Sequence, residues 1–576
     1  MCKMTAERKE AIIKKKLSER YVYDITLERQ PSWPPDLYGE KAIMHVIEGD
    51  DLENALKMLK YTADWFLHPH PTGREIRGEA DFAAIRLIAA LFEERCYGKL
   101  PDDIKASLKG FFLDNDFSSF YGSENHSIMF RVSRLLASQF YKGEHFNFFN
   151  KSAEEIYEID TKYVNDFIDF RAGRGWGEFD SLGYTAEIIL ILTTLYSYTD
   201  NEALKHKARM MLDLIMLDMI ADSKGHIYGG AHGRSYPGDI INRDNSGMAR
   251  LYRYFFTDEI IPTFTNIIIS DYMPSPIVYE VIESKKLPYE NRERKHLHCC
   301  SLWAGENIKW DVLKKVNGGI NKYIYVCDDY MLGGINRQED YPADVGDRWY
   351  AHHQQHEWEL TLNGSGQNKI FTHHYAVPDS HSINNRWTGD CGCNCGSFYT
   401  NKNTALAMYN IKNPDKEQKI NAYVPLPIFE NRILEDNYLF LEYGNLYISL
   451  YLSNGYRVNK EDDFTDKELI CEGSQHAVVL RVEYKKSFES LEVFAESIKS
   501  KPVIFDRDAK ILKFDGIELR TDGNSEDGVE NVYPYSKTYD CPFMQSDYDS
   551  KIIEIKGKDK TVIYDFIQNK ITEKNI

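Results

Sequence analysis

The chain has 576 residues, with 89 acidic against 70 basic side chains, a formal charge of −19 and a pI near 5.4. This balance argues against nucleic acid as a partner, because phosphate binding needs a basic footprint, although a local arginine cluster can still bind an acidic ligand. The length predicts two or three domains, and no stretch reaches the roughly 18 apolar residues of a membrane span.

The first 20 residues are rich in Lys and Glu and lack the apolar core of a secretory signal. We therefore expect a cytoplasmic protein, or a periplasmic or secreted one if a leader has been removed. Ten cysteines are scattered along the chain. In a chain of this length they do not indicate a disulfide framework.

From about residue 40 to 268, apolar residues recur near a 3.6-residue period, which predicts helices joined by short connections. The predicted helices are Asp51–Phe66, Glu79–Cys96, Pro101–Leu113, Ser123–Lys142, Ala153–Phe170, Ser181–Tyr198 and Asn201–Ile220. Helix pairs of this length without a sharp sequence repeat favour an incomplete α/α toroid over residues 1–272.

The pattern changes near Pro274 and Pro276, and residues 273–295 are predicted to be a linker. Short alternating or β-branched runs follow: Tyr323–Val326, Glu357–Leu362, Leu439–Tyr443 and Leu446–Tyr451, the last two joined by Gly444-Asn445. They predict a large antiparallel β-sandwich over 296–485, and a small sheet or closing layer over 486–576. The predicted fold class is α+β, with several domains.

Two helix starts carry side chains that can handle protons. Ser123 is a predicted N-cap that places Asn125 and His126 in the first turn, and Asp180 or Ser181 would do the same for Tyr184. Helix N-termini favour negative charge. In β-elimination on a uronic acid, Asn125 could bind the carboxylate, His126 or Tyr184 could be the base, and Tyr184 is suited to be the acid.

The Asn125-His126 pair and the Ser181-x-x-Tyr184 helix start resemble the heparinase II/III-type and alginate lyases. The resemblance implies an α/α toroid joined to an antiparallel β-sandwich, with the active site between them. It assigns carboxylate neutralisation to Asn125 and proton transfer to His126 and Tyr184. A further histidine is expected from the sandwich, where His353 or His356 precedes a strand, although the family's His-x-Asp pattern is absent.

A glycine-rich loop, Gly229–Pro237, offers further substrate contacts. Arg234 could bind a uronate carboxylate through its planar fork, and His232 and Tyr236 add a ring and a hydroxyl; a structural turn is the alternative. The remaining residues predicted to contact substrate are Arg174, Trp176, Glu178 and Trp387. The predicted partner is an acidic poly- or oligosaccharide, while the oligomeric state is left open.

Two other functions remain open on sequence grounds. Glu178 as acid with Asp180 or Glu124 as base would suit an inverting glycoside hydrolase on the same scaffold. A non-catalytic glycan-binding protein would need neither the His126 and Tyr184 pair nor the pair of carboxylates. No catalytic metal or cofactor is expected: the Cys391-x-Cys393-x-Cys395 run departs from zinc-knuckle spacing, so a structural metal there is not the favoured interpretation.

Overall fold

The structure is a computed structural model that describes residues 4–18, 39–67, 80–117, 123–296, 319–338, 353–374, 386–387, 390–391, 395–520 and 535–575. Its helices, in chain order, are α1 Ala6–Leu17, α2 Glu40–Glu48, α3 Leu52–Leu67, α4 Ala80–Phe92, α5 Glu94–Tyr97, α6 Asp102–Asp114, α7 Glu124–Phe140, α8 Ala153–Arg174, α9 Tyr184–Tyr198, α10 Glu202–Ala221, α11 Pro237–Ile241, α12 Gly247–Phe256, α13 Thr265–Ile269, α14 Pro276–Ser284 and α15 Leu491–Lys499. The seven helices predicted from apolar periodicity are all present, with ends displaced by a few residues and the second divided into α4 and α5. No described helix is long and apolar enough to cross a membrane.

The helices pack as sequential pairs and as neighbours across pairs, with α7 against α4, α8 and α9, and α9 against α10. Helix α9 is buried on nearly all sides from Ile188 to Leu195, as expected for a helix that is apolar all round. Helix α8 begins with a capping box between Ser152 and Glu155, which satisfies its first amide groups. Local sequence therefore accounts for where α8 begins and for the burial of α9.

The strands, in chain order, are β1 His145–Phe146, β2 Lys151–Ser152, β3 Ser223–Lys224, β4 Ile227–Tyr228, β5 Tyr289–His296, β6 Gly319–Val326, β7 Tyr330–Gln338, β8 His353–Gln355, β9 Trp358–Leu362, β10 Lys369–His374, β11 Asp390–Cys391, β12 Gly396–Asn401, β13 Thr404–Asn410, β14 Lys419–Tyr423, β15 Arg432–Leu434, β16 Tyr438–Tyr443, β17 Leu446–Leu452, β18 Arg457–Val458, β19 Glu468–Glu472, β20 Gln475–Tyr484, β21 Ile504–Asp506, β22 Ile511–Phe514, β23 Ile517–Arg520, β24 Lys537–Cys541, β25 Met544–Asp547, β26 Ile552–Lys556, β27 Lys560–Asp565 and β28 Lys570–Asn575.

Two antiparallel sheets dominate the second half of the chain. The larger has the strand order β18-β19-β14-β10-β9-β7-β6-β5-β24-β25-β26-β27-β28, and the other has the order β12-β13-β20-β17-β16-β15. Strands β16 and β17 pair from Tyr438↔Tyr451 to Tyr443↔Leu446, so the predicted two-residue hairpin turn at Gly444-Asn445 is confirmed. The α+β fold class, with helices first and antiparallel sheets after, is also confirmed.

One predicted boundary differs in the structure, and one predicted region contains both of the arrangements that were left open. The expected linker, 273–295, instead contains α14 and most of β5, because Pro276 occupies the first turn of a helix, where its missing N–H is tolerated. The 486–576 region is divided: β21–β23 form a separate three-stranded sheet, whereas β24 pairs with β5 and extends the larger sheet. Pro276 and most of the charged residues between 273 and 295 therefore belong to a helix and a strand, not to a linker.

The larger sheet lies between two hydrophobic cores. Ile324, Met331 and Tyr539 pack into the same core as the helices, whereas Leu332 and Leu360 pack against the six-stranded sheet. Adjacent residues Met331 and Leu332 thus face opposite layers, as alternation along a strand requires. The sheet is consequently shared between the helical domain and the sandwich.

A buried ion cluster also joins the helical domain to this sheet. Lys322 on β6 binds the carboxylates of Asp180, Asp222 and Glu293. Lys295 on β5 lies 3.1 Å from Asp180 and 2.6 Å from Asp218. Both lysine side chains are fully or almost fully buried. Since Asp180 lies just before α9, the cluster holds the start of that helix on the sheet.

Replacing Lys322 by Met should lower the free energy of unfolding by about 3–5 kcal/mol, because three buried carboxylates would lose their shared cation. Lys57→Met is the matched control: its ion pair with Glu53 is exposed and screened by water, so its loss should leave the free energy of unfolding nearly unchanged. Urea unfolding of both variants measures the difference. A Lys322→Met protein as stable as the Lys57→Met protein would contradict the proposed role of the cluster.

Candidate active site

Two loops, 176–183 and 229–236, are bonded together through their backbones. The Gly233 N–H donates to the Phe179 carbonyl at 2.6 Å, and His232 Nδ1 lies 2.7 Å from the Asp180 carbonyl. A Cβ at position 233 would lie 2.9–3.0 Å from the ring and backbone nitrogen of Phe179, so the close approach requires glycine. The Gly-rich loop predicted to contact substrate is therefore held against the segment that leads into α9.

Ser181 connects this loop pair to the first residue of α9. Its hydroxyl donates to the Arg234 carbonyl at 3.0 Å and accepts the Tyr184 N–H at 3.1 Å. Asp180 and Arg234 have φ values of 50° and 43°, in the left-handed region that is costly for residues with a Cβ. The surrounding hydrogen bonds hold this backbone, and they fix where Arg234 and Tyr184 project.

Asn125, Glu178 and Arg234 meet at one point. The Asn125 Nδ2 donates to Glu178 Oε2 at 2.5 Å, and the Arg234 Nη1 donates to Glu178 Oε1 at 2.6 Å. Asn125 is fully buried, while the Arg234 and Glu178 side chains are 12% and 8% exposed. The structure thus brings together two side chains predicted to bind a substrate carboxylate, and both are bound to a carboxylate of the chain itself.

Tyr184 lies beside this group and remains partly exposed. Its hydroxyl is 3.0 Å from that of Tyr236, and the Arg234 guanidinium lies 4.0 Å from the centre of its ring. Burial raises the pKa of the Tyr184 phenol well above 10, against the opposing effect of Arg234. Tyr184 is therefore protonated at neutral pH and can donate a proton.

His126 is held by an aspartate that the sequence analysis did not identify. Its Nδ1 lies 2.6 Å from Asp81 Oδ2, and Asp81 is fully buried at the start of α4. A carboxylate in this position orients the imidazole. On the same helix, Arg86 binds both oxygens of Glu187, which lies three residues after Tyr184. Helix α4 thus contacts the first turns of both α7 and α9, which carry His126 and Tyr184.

Glu124 holds the backbone of Gly177 and Glu178 in place. Its carboxylate accepts the N–H groups of Gly177 at 2.9 Å and Glu178 at 2.8 Å, and it pairs with the buried Arg171. Burial raises the pKa of Glu124 despite the nearby guanidinium. Since both of its oxygens are bound, Glu124 is a structural support of the loop in this state.

His356 lies within a buried network rather than at an open surface. Its Nε2 is 2.9 Å from Glu359 Oε2 and its Nδ1 is 2.8 Å from His373 Nε2, while Arg243 binds both Glu359 oxygens at 2.7 Å. Burial opposes ionisation of Glu359, but Arg243 and Lys369 hold its pKa well below the usual range. Glu359 therefore accepts from His356 Nε2, and His356 Nδ1 accepts from His373.

Backbone pairing joins this network to the glycine-rich loop. His232 and His356 exchange two backbone hydrogen bonds, at 2.9 and 2.8 Å, and their rings stack with centroids 6.0 Å apart. Both imidazoles are fully buried. A direct contact of either ring with a sugar would therefore require this packing to open, and their predicted substrate roles stay predictions.

The other predicted site residues lie apart from this group or are enclosed. Arg174 pairs with Asp549 at 2.9 Å, next to the C-terminal strands. Trp176 is 5% exposed and packs on Phe167, while Trp387 is 1% exposed among Phe371 and other apolar side chains. In this state neither indole presents a free face to a ligand. The side chains of His353 and Cys391, and residues 392–394, lie outside the described residues.

One group of carboxylates has spacing suited to a metal ion. Single oxygens of Asp180, Asp222 and Glu293 lie within 4.8 Å of one another in the described part of the chain. The Lys322 ammonium binds all three, so a cation of the chain itself already takes that place. These residues therefore support the fold, and no metal role is assigned to them.

No family model and no curated protein matches the chain. Among solved structures, heparinase III aligns over 99% of this chain and 91% of its own, with a TM-score of 0.44 and 9% identity. Chondroitin AC lyase from Streptomyces coelicolor aligns over 97% and 88%, with a TM-score of 0.39 and 10% identity. A heparan sulfate lyase mutant from Pedobacter heparinus aligns over 90% and 89%, with a TM-score of 0.29 and 11% identity.

Two of these structures are named as lyases and the third as a heparinase. Identities of 9–11% and TM-scores below 0.5 establish no shared activity. The function must therefore be inferred from the contacts of the site itself.

The state of His356 gives a prediction about acid stability. Burial lowers its pKa from 6.5 to about 4, although Glu359 opposes the shift, so the folded protein holds it neutral. The unfolded chain binds a proton on His356 below about pH 6.5, whereas the folded protein does not until about pH 4. The free energy of unfolding therefore keeps its full value above pH 6.5 and falls by up to about 3 kcal/mol as the pH drops toward 4. Unfolding by urea between pH 7.5 and 4 should show a shallower loss for His356→Gln than for the unsubstituted protein. Equal pH dependence in both would contradict the prediction.

Proposed function

We propose that the protein is a polysaccharide or oligosaccharide lyase that cleaves a uronate-containing glycan by β-elimination. The observation that carries the proposal is the paired binding of one carboxylate by Asn125 and Arg234, beside a partly exposed tyrosine. A uronate presents the same chemical group. Side chains that hold a carboxylate at 2.5 and 2.6 Å can hold the C6 carboxylate of a sugar in that position.

Binding of that carboxylate addresses the first difficulty of the reaction. The C5 proton of a uronate is only weakly acidic, because the carboxylate already carries a negative charge that proton removal would increase. Hydrogen bonds from Asn125 and the charge of Arg234 would stabilise the negative charge that develops on the carboxylate oxygens. This electrostatic stabilisation lowers the barrier to proton removal.

His126 is the proposed base. Asp81 lies 2.6 Å from its Nδ1, which directs a proton to that nitrogen and leaves Nε2 as the atom that accepts one. Asn125 and His126 are adjacent in the first turn of α7. The group that holds the carboxylate and the group that removes the neighbouring proton therefore come from the same turn.

Tyr184 is the proposed acid. Its raised pKa keeps the phenol protonated, and Arg234 stabilises the phenolate that forms when the proton leaves. The Tyr236 hydroxyl, at 3.0 Å, can donate to that phenolate. In the reaction the C5–H and C4–O4 bonds break, a C4=C5 double bond forms, His126 takes one proton and Tyr184 gives one to O4.

Hydrolysis by carboxylates is less well supported by the same contacts. Asp180 is bound by two lysines, and although burial opposes ionisation, they hold its pKa below the usual range. Glu124 is bound by Arg171 and two backbone N–H groups. An inverting hydrolase needs a carboxylate base that can reach a water molecule. Neither candidate base is disposed to do so.

Replacing Tyr184 by Phe should lower kcat by about 10²–10⁴-fold, because the group that protonates O4 is lost while the ring is kept. Turnover is followed by the ultraviolet absorbance of the conjugated, unsaturated uronate on a panel of alginate, heparan, hyaluronan, chondroitin and pectic substrates. Tyr196→Phe is the matched control, since Tyr196 lies on the same helix and packs against Tyr272.

The control variant should turn over at the unsubstituted rate. New reducing ends without the absorbance would indicate hydrolysis. Binding of a glycan without any cleavage, unchanged by Tyr184→Phe, would indicate a non-catalytic binding protein.

Replacing Asp81 by Asn should lower kcat by about 10²-fold with little change in KM, because His126 loses the carboxylate that orients it. Steady-state kinetics measure kcat and KM separately. An unchanged kcat, or a loss of activity that lies in KM alone, would contradict the orienting role of Asp81.

A further inference from the structure

The carboxylate held by Asn125 and Arg234 belongs to the protein. We use the term carboxylate seat for the Asn125 Nδ2 and the Arg234 Nη1, which lie 2.5 and 2.6 Å from the two oxygens of Glu178. Each Glu178 oxygen thus occupies one donor of the seat. A ligand carboxylate cannot accept the same hydrogen bonds while Glu178 remains in place.

Glu178 also neutralises the charge that would attract an acidic sugar. Its ion pair with Arg234 is almost wholly removed from water. Charges interact more strongly in such a buried position than in water. A second carboxylate brought to the seat would meet the negative charge of Glu178 at close range. Binding of a uronate with Glu178 still seated is therefore opposed by both geometry and charge.

The side chain of Glu178 can leave without moving the loop that carries it. The Glu178 N–H is bound by Glu124 at 2.8 Å, and the next residue, Phe179, accepts the Gly233 N–H at 2.6 Å. These backbone contacts do not involve the Glu178 carboxylate. Rotation of the side chain would therefore free the seat while the two loops remain bonded together.

We propose that Glu178 occupies the carboxylate seat in the unliganded protein and leaves it when an acidic sugar binds, so that one carboxylate is exchanged for another. The inference rests on the proposed function for its choice of ligand, a pyranose carrying one carboxylate. It makes Glu178 a determinant of affinity and specificity: the protein accepts a uronate only at the cost of displacing its own side chain.

Removing the Glu178 carboxylate should therefore strengthen uronate binding. Glu178→Ala should bind D-glucuronate about ten-fold or more tightly than the unsubstituted protein in isothermal titration calorimetry, because the competing anion is gone. Glu178→Gln keeps the size of the side chain and should give a smaller gain. D-Glucose, which lacks a carboxylate, should bind all three proteins alike.

Two further variants locate the effect. If glucuronate binds at the carboxylate seat, the gain in affinity from Glu178→Ala should disappear when Arg234→Gln is added. A double-mutant cycle measures this coupling between the two positions. Glu290→Ala is the matched control: it removes the carboxylate 2.7 Å from Arg292 on β5, and should not change glucuronate affinity.

The outcomes separate this inference from the proposed function. The exchange would be overturned if Glu178→Ala and Glu178→Gln bind glucuronate no more tightly than the unsubstituted protein does. The same conclusion would follow if none of the three proteins shows measurable binding. If elimination products still form in that case, the lyase function stands without it. If affinity rises as predicted but no polymer yields unsaturated product, the exchange is supported and the lyase function fails.

Discussion

The burial of Lys322 and Lys295 against four carboxylates is the interaction on which the rest of the structure depends. Asp180 precedes α9, Asp218 and Asp222 lie at the end of α10, and Glu293 lies on the sheet with both lysines. Two ammonium groups serve four acids, and burial raises the pKa of Asp222 to about 7 despite Lys322. Such a cluster is costly to disrupt, because each group left alone would be an unpaired buried charge. It therefore fixes the helical domain on the larger sheet at one defined position.

The candidate site follows from that position. Held by its carboxylate, Asp180 presents its carbonyl to His232, and the neighbouring Phe179 accepts the Gly233 N–H, so the glycine-rich loop lies against the segment before α9. Arg234 then reaches both Glu178 and the ring of Tyr184. On the other side, α4 contacts α7 through Asp81 and α9 through Arg86. Asn125, Arg234 and Tyr184 lie around Glu178 because both domains hold the same two loops.

The sequence predicted those features that depend on local pattern. Apolar periodicity located the helices within a few residues, and Gly444-Asn445 located a hairpin, since both signals arise from neighbours along the chain. Residue type, at two helix starts and within the glycine-rich loop, predicts Asn125, Tyr184 and Arg234 as site residues, and the structure brings them together. Asp81 was missed, although an acid at the start of an otherwise apolar helix was a usable signal. The pairing of Lys322 with Asp180, 142 residues apart, has no local signal. Proline and charge predict a linker around Pro276, where the structure instead begins a helix.

The central claim is that one uronate binds with its carboxylate on Asn125 and Arg234 and its C5 proton facing His126. A crystal structure of the Tyr184→Phe protein with a uronate-containing oligosaccharide tests it most directly. The account predicts the carboxylate on those two donors, C5 within about 3.5 Å of His126, and O4 directed toward residue 184. An oligosaccharide bound elsewhere, or one whose carboxylate points away from Asn125 and Arg234, would contradict it.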